Sequence, residues 1–186
     1  MLRRMKYPSI INHFLSPSFP QWSSRNKCEF FSVPKDWRKT LFDTHSLTAQ
    51  LIAISEGEFS VDVLWQGWRK ISHQEAVLLN CKNEQHVVWC RDVSLNIKGK
   101  PRVYARTCIP KNTLTGNERL LTNLGNKPLG GFLFNHPNMS RGKMSAYRLR
   151  SNDLSLLWAR RSVFSLNNKP VLVTEAFTQP LPHDSL

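Results

Sequence analysis

Two ions stand on strand faces that are otherwise apolar, and they are the residues of this 186-residue chain best placed to do chemistry. Successive side chains of a strand point to opposite sides, so Arg91 shares its face with Trp89, Val93, Leu95 and Ile97. By the same parity Glu175 sits with Val171, Val173 and Phe177, while Leu172, Thr174 and Ala176 take the other side. Burying either ion alone costs several kcal/mol, so each needs a partner or an enclosed polar ligand. One possibility is that they pair with each other. The other is a closed pocket in which the Arg91 guanidinium grips a carboxylate in bidentate fashion and Glu175 faces a hydroxyl or a transferable proton.

Other reactive side chains lack the spacing that their chemistry needs. Trp158-Ala159-Arg160-Arg161-Ser162 carries two arginines that must point to opposite faces of a strand, so at most one shares the interior and the other is expected in solvent. Ser162 lies in no G-x-S-x-G elbow, and no catalytic triad is expected. Cys28, Cys81, Cys90 and Cys108 are too scattered for a zinc site and form no C-x-x-C pair. The six histidines show no H-x-x-x-H spacing. No structural metal is expected, and the cysteines read as free thiols in a reducing compartment.

The elements that must position Arg91 and Glu175 follow from periodicity. From Asp36, residues Trp37, Leu41, Leu47, Leu51 and Ile52 recur near a helical period, broken around Asp43 to Ser46, where a second helix starts. Phe59, Val61, Val63 and Trp65 alternate as a strand, followed by a bend at Gly67 and an extended stretch from Ile71 to Leu79. Residues 86–97 and 102–109 form the clearest hairpin, turning at Lys98-Gly99-Lys100-Pro101. Thr115-Gly116-Asn117-Glu118 fits a capping box opening a short helix that stops at Gly125, and a further helical turn follows at Phe132-Leu133-Phe134. Extended patterns return at 144–150, 156–166 and 170–177, the last two joined at Asn167-Asn168-Lys169. About six strands joined by hairpins, with helices grouped on one face, make a single α+β domain built on an antiparallel sheet.

Composition is that of a globular domain, at 40% hydrophobic and 21% charged residues, which excludes collagenous and wholly disordered classes. No apolar run approaches the roughly 18 residues of a membrane-spanning helix, so no integral membrane segment is expected. The formal charge of +13 favours anionic partners, although a solvated basic exterior explains the number as well. Basic residues crowd the N-terminus, where residues 1–21 are expected to form a flexible extension ahead of a domain at 22–186.

The sequence resembles the bacterial chorismate lyases, the chorismate pyruvate-lyases of ubiquinone biosynthesis. The resemblance runs from Trp22 to Pro180 on an ordered set of blocks: Val88-Trp89-Cys90-Arg91, Gly99-Lys100-Pro101 with Ala105-Arg106-Thr107, and Thr113-Leu114-Thr115-Gly116. Then come Leu124 through Gly130, Leu157 through Ser162, and Lys169-Pro170 leading to Leu172-Val173-Thr174-Glu175. Ala159 stands where the family has Gly, and Gly131 where it has a larger polar residue.

The resemblance implies an antiparallel sheet with helices packed on it and an enclosed ligand site under flaps. It implies that chorismate loses pyruvate to leave 4-hydroxybenzoate, with no cofactor. Arg91 matches the arginine on the ligand carboxylate and Glu175 the glutamate near the ring hydroxyl, while Leu129 and Leu47 match backbone contacts. Arg160 or Arg161 is left for the enolpyruvyl carboxylate. A cytoplasmic monomer acting on a small molecule, without nucleic acid, is the corresponding expectation. Two rival classes are a noncatalytic effector-sensing domain of the same fold and a nucleic-acid-binding module. The first would carry a winged-helix domain upstream, and the second lacks any zinc-finger, RRM or KH signature.

Overall fold

A computed structural model describes residues 27–81, 86–150 and 156–182. Eight antiparallel strands form one sheet: β1 (Lys27–Cys28), β2 (Phe59–Lys70), β3 (Val87–Ile97), β4 (Lys100–Ile109), β5 (Met139–Arg141), β6 (Ser145–Arg150), β7 (Leu156–Leu166) and β8 (Lys169–Phe177). The order β1-β6-β7-β8-β4-β3-β2, with β5 on β7, consists of two meanders, β2-β3-β4 and β6-β7-β8, joined along β4 and β8. The six long strands are those expected from alternation, and β1 and β5 are too short to show any. The expected extension at residues 1–21 lies outside the described residues.

Both central hairpins close in two residues. Lys98-Gly99 and Asn167-Asn168 all adopt positive φ, the backbone of a type I′ turn whose twist matches the flanking strands. The turn at Lys98 is therefore tighter than expected, with Lys100 and Pro101 already in the ladder opposite Ile97 and Asn96. The bend expected at Gly67 is also corrected: β2 runs on to Lys70, and its irregularity falls between Val63 and Trp65.

Among the described residues the α-helices are α1 (Lys35–Phe42), α2 (Leu47–Ala53), α3 (His73–Leu78) and α4 (Leu129–Phe134). Ser46 caps α2, its hydroxyl accepting the Ala49 amide at 3.3 Å. The extended stretch expected at 71–79 is instead α3, opened by a complete capping box between Ser72 and Glu75. The capping box expected at Thr115 does not form. Gly116–Asn123 is a 3-10 helix, and the Glu118 side chain turns inward to Asn167 and Lys169.

On one sheet face lie two apolar clusters. Leu41 of α1 and Leu47 and Leu51 of α2 pack on Val93, Leu95, Val103 and Phe177. Leu133 of α4 and Leu121 pack on Ile109, Phe164, Val171 and Val173. Each fully buried leucine contributes about 1.5–3 kcal/mol, which fixes α1, α2 and α4 over this face. Helices are not confined to it: α3 covers the reverse, where Ile71, Ala76 and Leu79 meet Cys90, Cys108 and Leu172. Also on the reverse face, Asp92 is fully buried and held by both Arg106, at 2.8 and 3.0 Å, and Arg69, at 3.1 Å.

Candidate active site

Between the two apolar clusters the same sheet face carries a polar strip. Arg91 on β3 lies opposite Thr107 of β4, which lies opposite Val173 of β8, and Glu175 is two residues further along. Two strand spacings and one two-residue step put the Arg91 and Glu175 Cα atoms about 12 Å apart. Their side chains converge on a cavity floored by Val93, Leu95, Ala105 and Val173 and roofed by α2 and α4. Ala105, directly opposite Glu175, is small enough to leave room above the sheet.

The roof closes because glycine lets its helices touch. A Cβ added at Gly130 would stand 2.5 Å from Thr48 Oγ1 and 3.0 Å from Thr48 Cβ. Leu47 and Leu129 both line the cavity, and each is the first residue of its helix, where the backbone N–H has no acceptor within the helix.

Arg91 is 3% exposed, and its Nη2 donates to the carbonyl oxygens of Gly125 at 2.7 Å and Lys127 at 3.0 Å. Those bonds pin the loop that delivers α4. Burial pushes the Arg91 pKa below its ordinary value, yet an arginine keeps its charge. Its buried Nε has no hydrogen-bond partner among the described residues.

Glu175, 9% exposed, does not pair with Arg91. Its Oε2 accepts from Arg160 Nε at 2.5 Å, and Arg160 Nη1 in turn donates to the carbonyls of Thr40 at 2.8 Å and Asp43 at 3.0 Å. Arg160 thus ties the end of α1 to Glu175 from behind, is itself 1% exposed, and does not line the cavity. Glu175 Oε1 has no partner among the described residues and is the oxygen left for a ligand.

Arg161 points the opposite way, as strand parity requires, but it is not in solvent. It is partly buried on the reverse face, with Nη2 donating to the Tyr147 hydroxyl at 2.9 Å and the guanidinium lying over that ring. Of the six residues expected at the site, the structure brings Leu47, Arg91, Leu129 and Glu175 to the cavity, places Arg160 directly behind it, and puts Arg161 across the sheet.

Among the cavity residues not expected from the sequence, one is charged. Arg141 on β5 is 10% exposed at its side chain, with Nε donating to Ser162 Oγ at 2.9 Å and Nη1 to the Thr44 carbonyl at 3.3 Å. Its guanidinium lies 4.8 Å above the Phe164 ring, and its Nη2 is 3.8 Å from Glu175 Oε2. Burial lowers its pKa, and Glu175 opposes the shift. No periodicity marks a residue on a three-residue strand. Because Glu175 already accepts from Arg160, one carboxylate faces two guanidiniums, and Arg91 and Arg141 together leave net positive charge at an enclosed, mostly apolar chamber. That arrangement suits a small ligand carrying two negative charges.

The family described as Chorismate lyase matches residues 17–184 of the chain. A protein of Psychromonas ingrahamii named "Probable chorismate pyruvate-lyase" is 39% identical over 155 residues, covering 76% of this chain and 80% of that protein. The "Chorismate pyruvate-lyase" of Hamiltonella defensa is 40% identical over 94 residues, covering 50% and 51%. Among solved structures, the C-terminal domain of the histidine utilization repressor from Pseudomonas syringae aligns with a TM-score of 0.53 at 10% identity, over 67% of this chain and 94% of that one. This last likeness is one of fold.

Proposed function

Since the chain belongs to the chorismate lyase family, we propose that its enclosed chamber is where chorismate is cleaved to pyruvate and 4-hydroxybenzoate. The observation that carries the reading is the pair Arg91 and Glu175, set apart on one sheet face, each held by partners other than the other, and both lining one covered cavity.

The reaction is an elimination. The bond from the ring carbon to the enolpyruvyl ether oxygen breaks, and its electron pair leaves with that oxygen. The neighbouring carbon, which bears the hydroxyl, gives up its hydrogen as a proton, and the C–H pair completes the aromatic ring. The departing enolpyruvate takes a proton on carbon and becomes pyruvate. Aromatisation drives the step, so the protein needs to orient the diene, hold its anions and assist one proton.

Arg91 meets the ring carboxylate through its unpartnered Nε as a single charge-assisted donor, because both Nη2 hydrogens are held by Gly125 and Lys127 and the bidentate grip expected from the sequence is not open to it. The N–H of Leu129 adds a second donor there. Glu175 Oε1 faces the hydroxyl-bearing carbon, beside the N–H of Leu47, and takes the proton or steadies the charge that develops. Arg160 holds that carboxylate in place. We place the activity in the cytoplasm, on a monomer with domain 22–186 and without nucleic acid, its product feeding ubiquinone biosynthesis.

The test is to incubate the protein with chorismate, following 4-hydroxybenzoate by absorbance and pyruvate through a coupled dehydrogenase. Equal amounts of both products are expected. Binding of 4-hydroxybenzoate without pyruvate release would assign the chain to the effector-sensing class instead. Arg91→Ala loses most turnover, and Glu175→Gln loses roughly 10²- to 10⁴-fold. Wild-type turnover in Glu175→Gln would remove the proton-handling role.

A further inference from the structure

The substrate of the reading above carries two carboxylates, and the roles assigned so far hold one. Arg160 is held on two of its nitrogens, Nε on Glu175 and Nη1 on two backbone carbonyls at the end of α1, and its Nη2, buried without a partner among the described residues, lies behind the cavity wall. Arg161 lies on the reverse face against Tyr147. Neither lines the cavity.

Arg141 does. Its Nε and Nη1 are anchored on Ser162 and Thr44, and the plane of the guanidinium is set against Phe164, so the group has little freedom left. Its Nη2 makes no hydrogen bond with the described residues, and the nearest anion to it, Glu175 Oε2, is 3.8 Å away and already taken by Arg160. A buried guanidinium with two donors tied down and a third aimed beside the general base is preorganised for an anion that arrives with the substrate.

Resting on the chorismate reading, we propose that Arg141 binds the enolpyruvyl carboxylate and draws off the charge of the departing enolate. The position suits it, because the ether-bearing carbon is next to the hydroxyl-bearing carbon that Glu175 addresses. Arg91 and Arg141 then take one carboxylate each, at opposite ends of the chamber. Arg141 is thereby what distinguishes substrate from product: 4-hydroxybenzoate has no second carboxylate for it to hold.

The experiment compares Arg141→Gln and Arg141→Lys with the wild-type protein, measuring kcat and KM for chorismate and, separately, the Kd of 4-hydroxybenzoate. Losing one charge-assisted contact is expected to lower kcat/KM of Arg141→Gln roughly 10- to 100-fold. The Kd for 4-hydroxybenzoate should move less than about threefold, and Arg141→Lys should recover part of the loss. Unchanged kcat/KM in Arg141→Gln overturns the inference. So does an equal loss for both ligands in both variants, which would make Arg141 a scaffold for Thr44 and Ser162. Failure of the wild-type protein to release pyruvate overturns the chorismate reading itself, and is seen before any variant is made.

Discussion

At the scale of single residues, buried charge divides into groups that hold the fold and groups that face the cavity. Glu118 belongs to the first kind. It is 2% exposed, with Oε1 accepting from Asn167 Nδ2 at 2.8 Å and Oε2 3.3 Å from Lys169 Nζ. Burial alone would raise its pKa, but these bonds and its own backbone amide outweigh burial and hold it below the ordinary 4.5. A carboxylate depressed on folding stabilises the protein above its unfolded pKa, and that contribution is lost as pH falls through the folded value. Thermal melts should therefore show wild-type stability dropping below about pH 4.5, and Glu118→Gln should be less stable at pH 7 with a flatter acid limb. An acid limb unchanged in Glu118→Gln would mean that other carboxylates set it. Arg91 and Glu175 were legible because a long strand reports its parity in sequence, so a charge on the apolar side stands out. Arg141 was not, since its placement depends on β5 pairing with β7, a tertiary event without a local pattern.

Elements show how one motif can succeed or fail by context. Ser72-His73-Gln74-Glu75 and Thr115-Gly116-Asn117-Glu118 both have the spacing of a capping box. The first forms, and it opens a helix that apolar alternation had disguised as a strand. The second does not, because Asn167 and Lys169 compete for the glutamate from the β7-β8 turn. The roof over the cavity is a sharper case, where α2 meets α4 at Gly130. Gly130→Ala drives a methyl into Thr48 at 2.5 Å and, by overpacking, should cost about 1–3 kcal/mol and loosen ligand retention. The control is its neighbour: a Cβ at Gly131 meets nothing within 4 Å, so Gly131→Ala should be neutral or stabilise α4 by up to about 1 kcal/mol. Paired melts and off-rates for 4-hydroxybenzoate decide the point, and equal behaviour of the two variants would mean that the helices do not close on one another. That contact could not be read from sequence, for it lies between segments that periodicity describes separately.

For the molecule as a whole, the +13 charge acts at a distance that no single contact does. A dianionic substrate is drawn toward such a surface, and salt screens the attraction over about 8–10 Å at physiological strength. Raising ionic strength should lower kcat/KM several-fold with kcat unchanged, whereas a salt-independent kcat/KM would confine electrostatic capture to the cavity. The fold class was legible because hairpins and alternating strands are local. Strand order was not, since the pairing of β4 with β8 joins segments far apart in the chain. That seam runs through the chamber floor, with Arg91 supplied by the first meander and Glu175 by the second. On the roles proposed for them, neither half alone carries both the guanidinium for the carboxylate and the base for the proton, so a nascent or broken chain has at most half of its grip on the acid. On those proposed roles, occupancy by ligand counts finished molecules, and an aromatic ring held there clasps the two halves across the junction where the topology is least local.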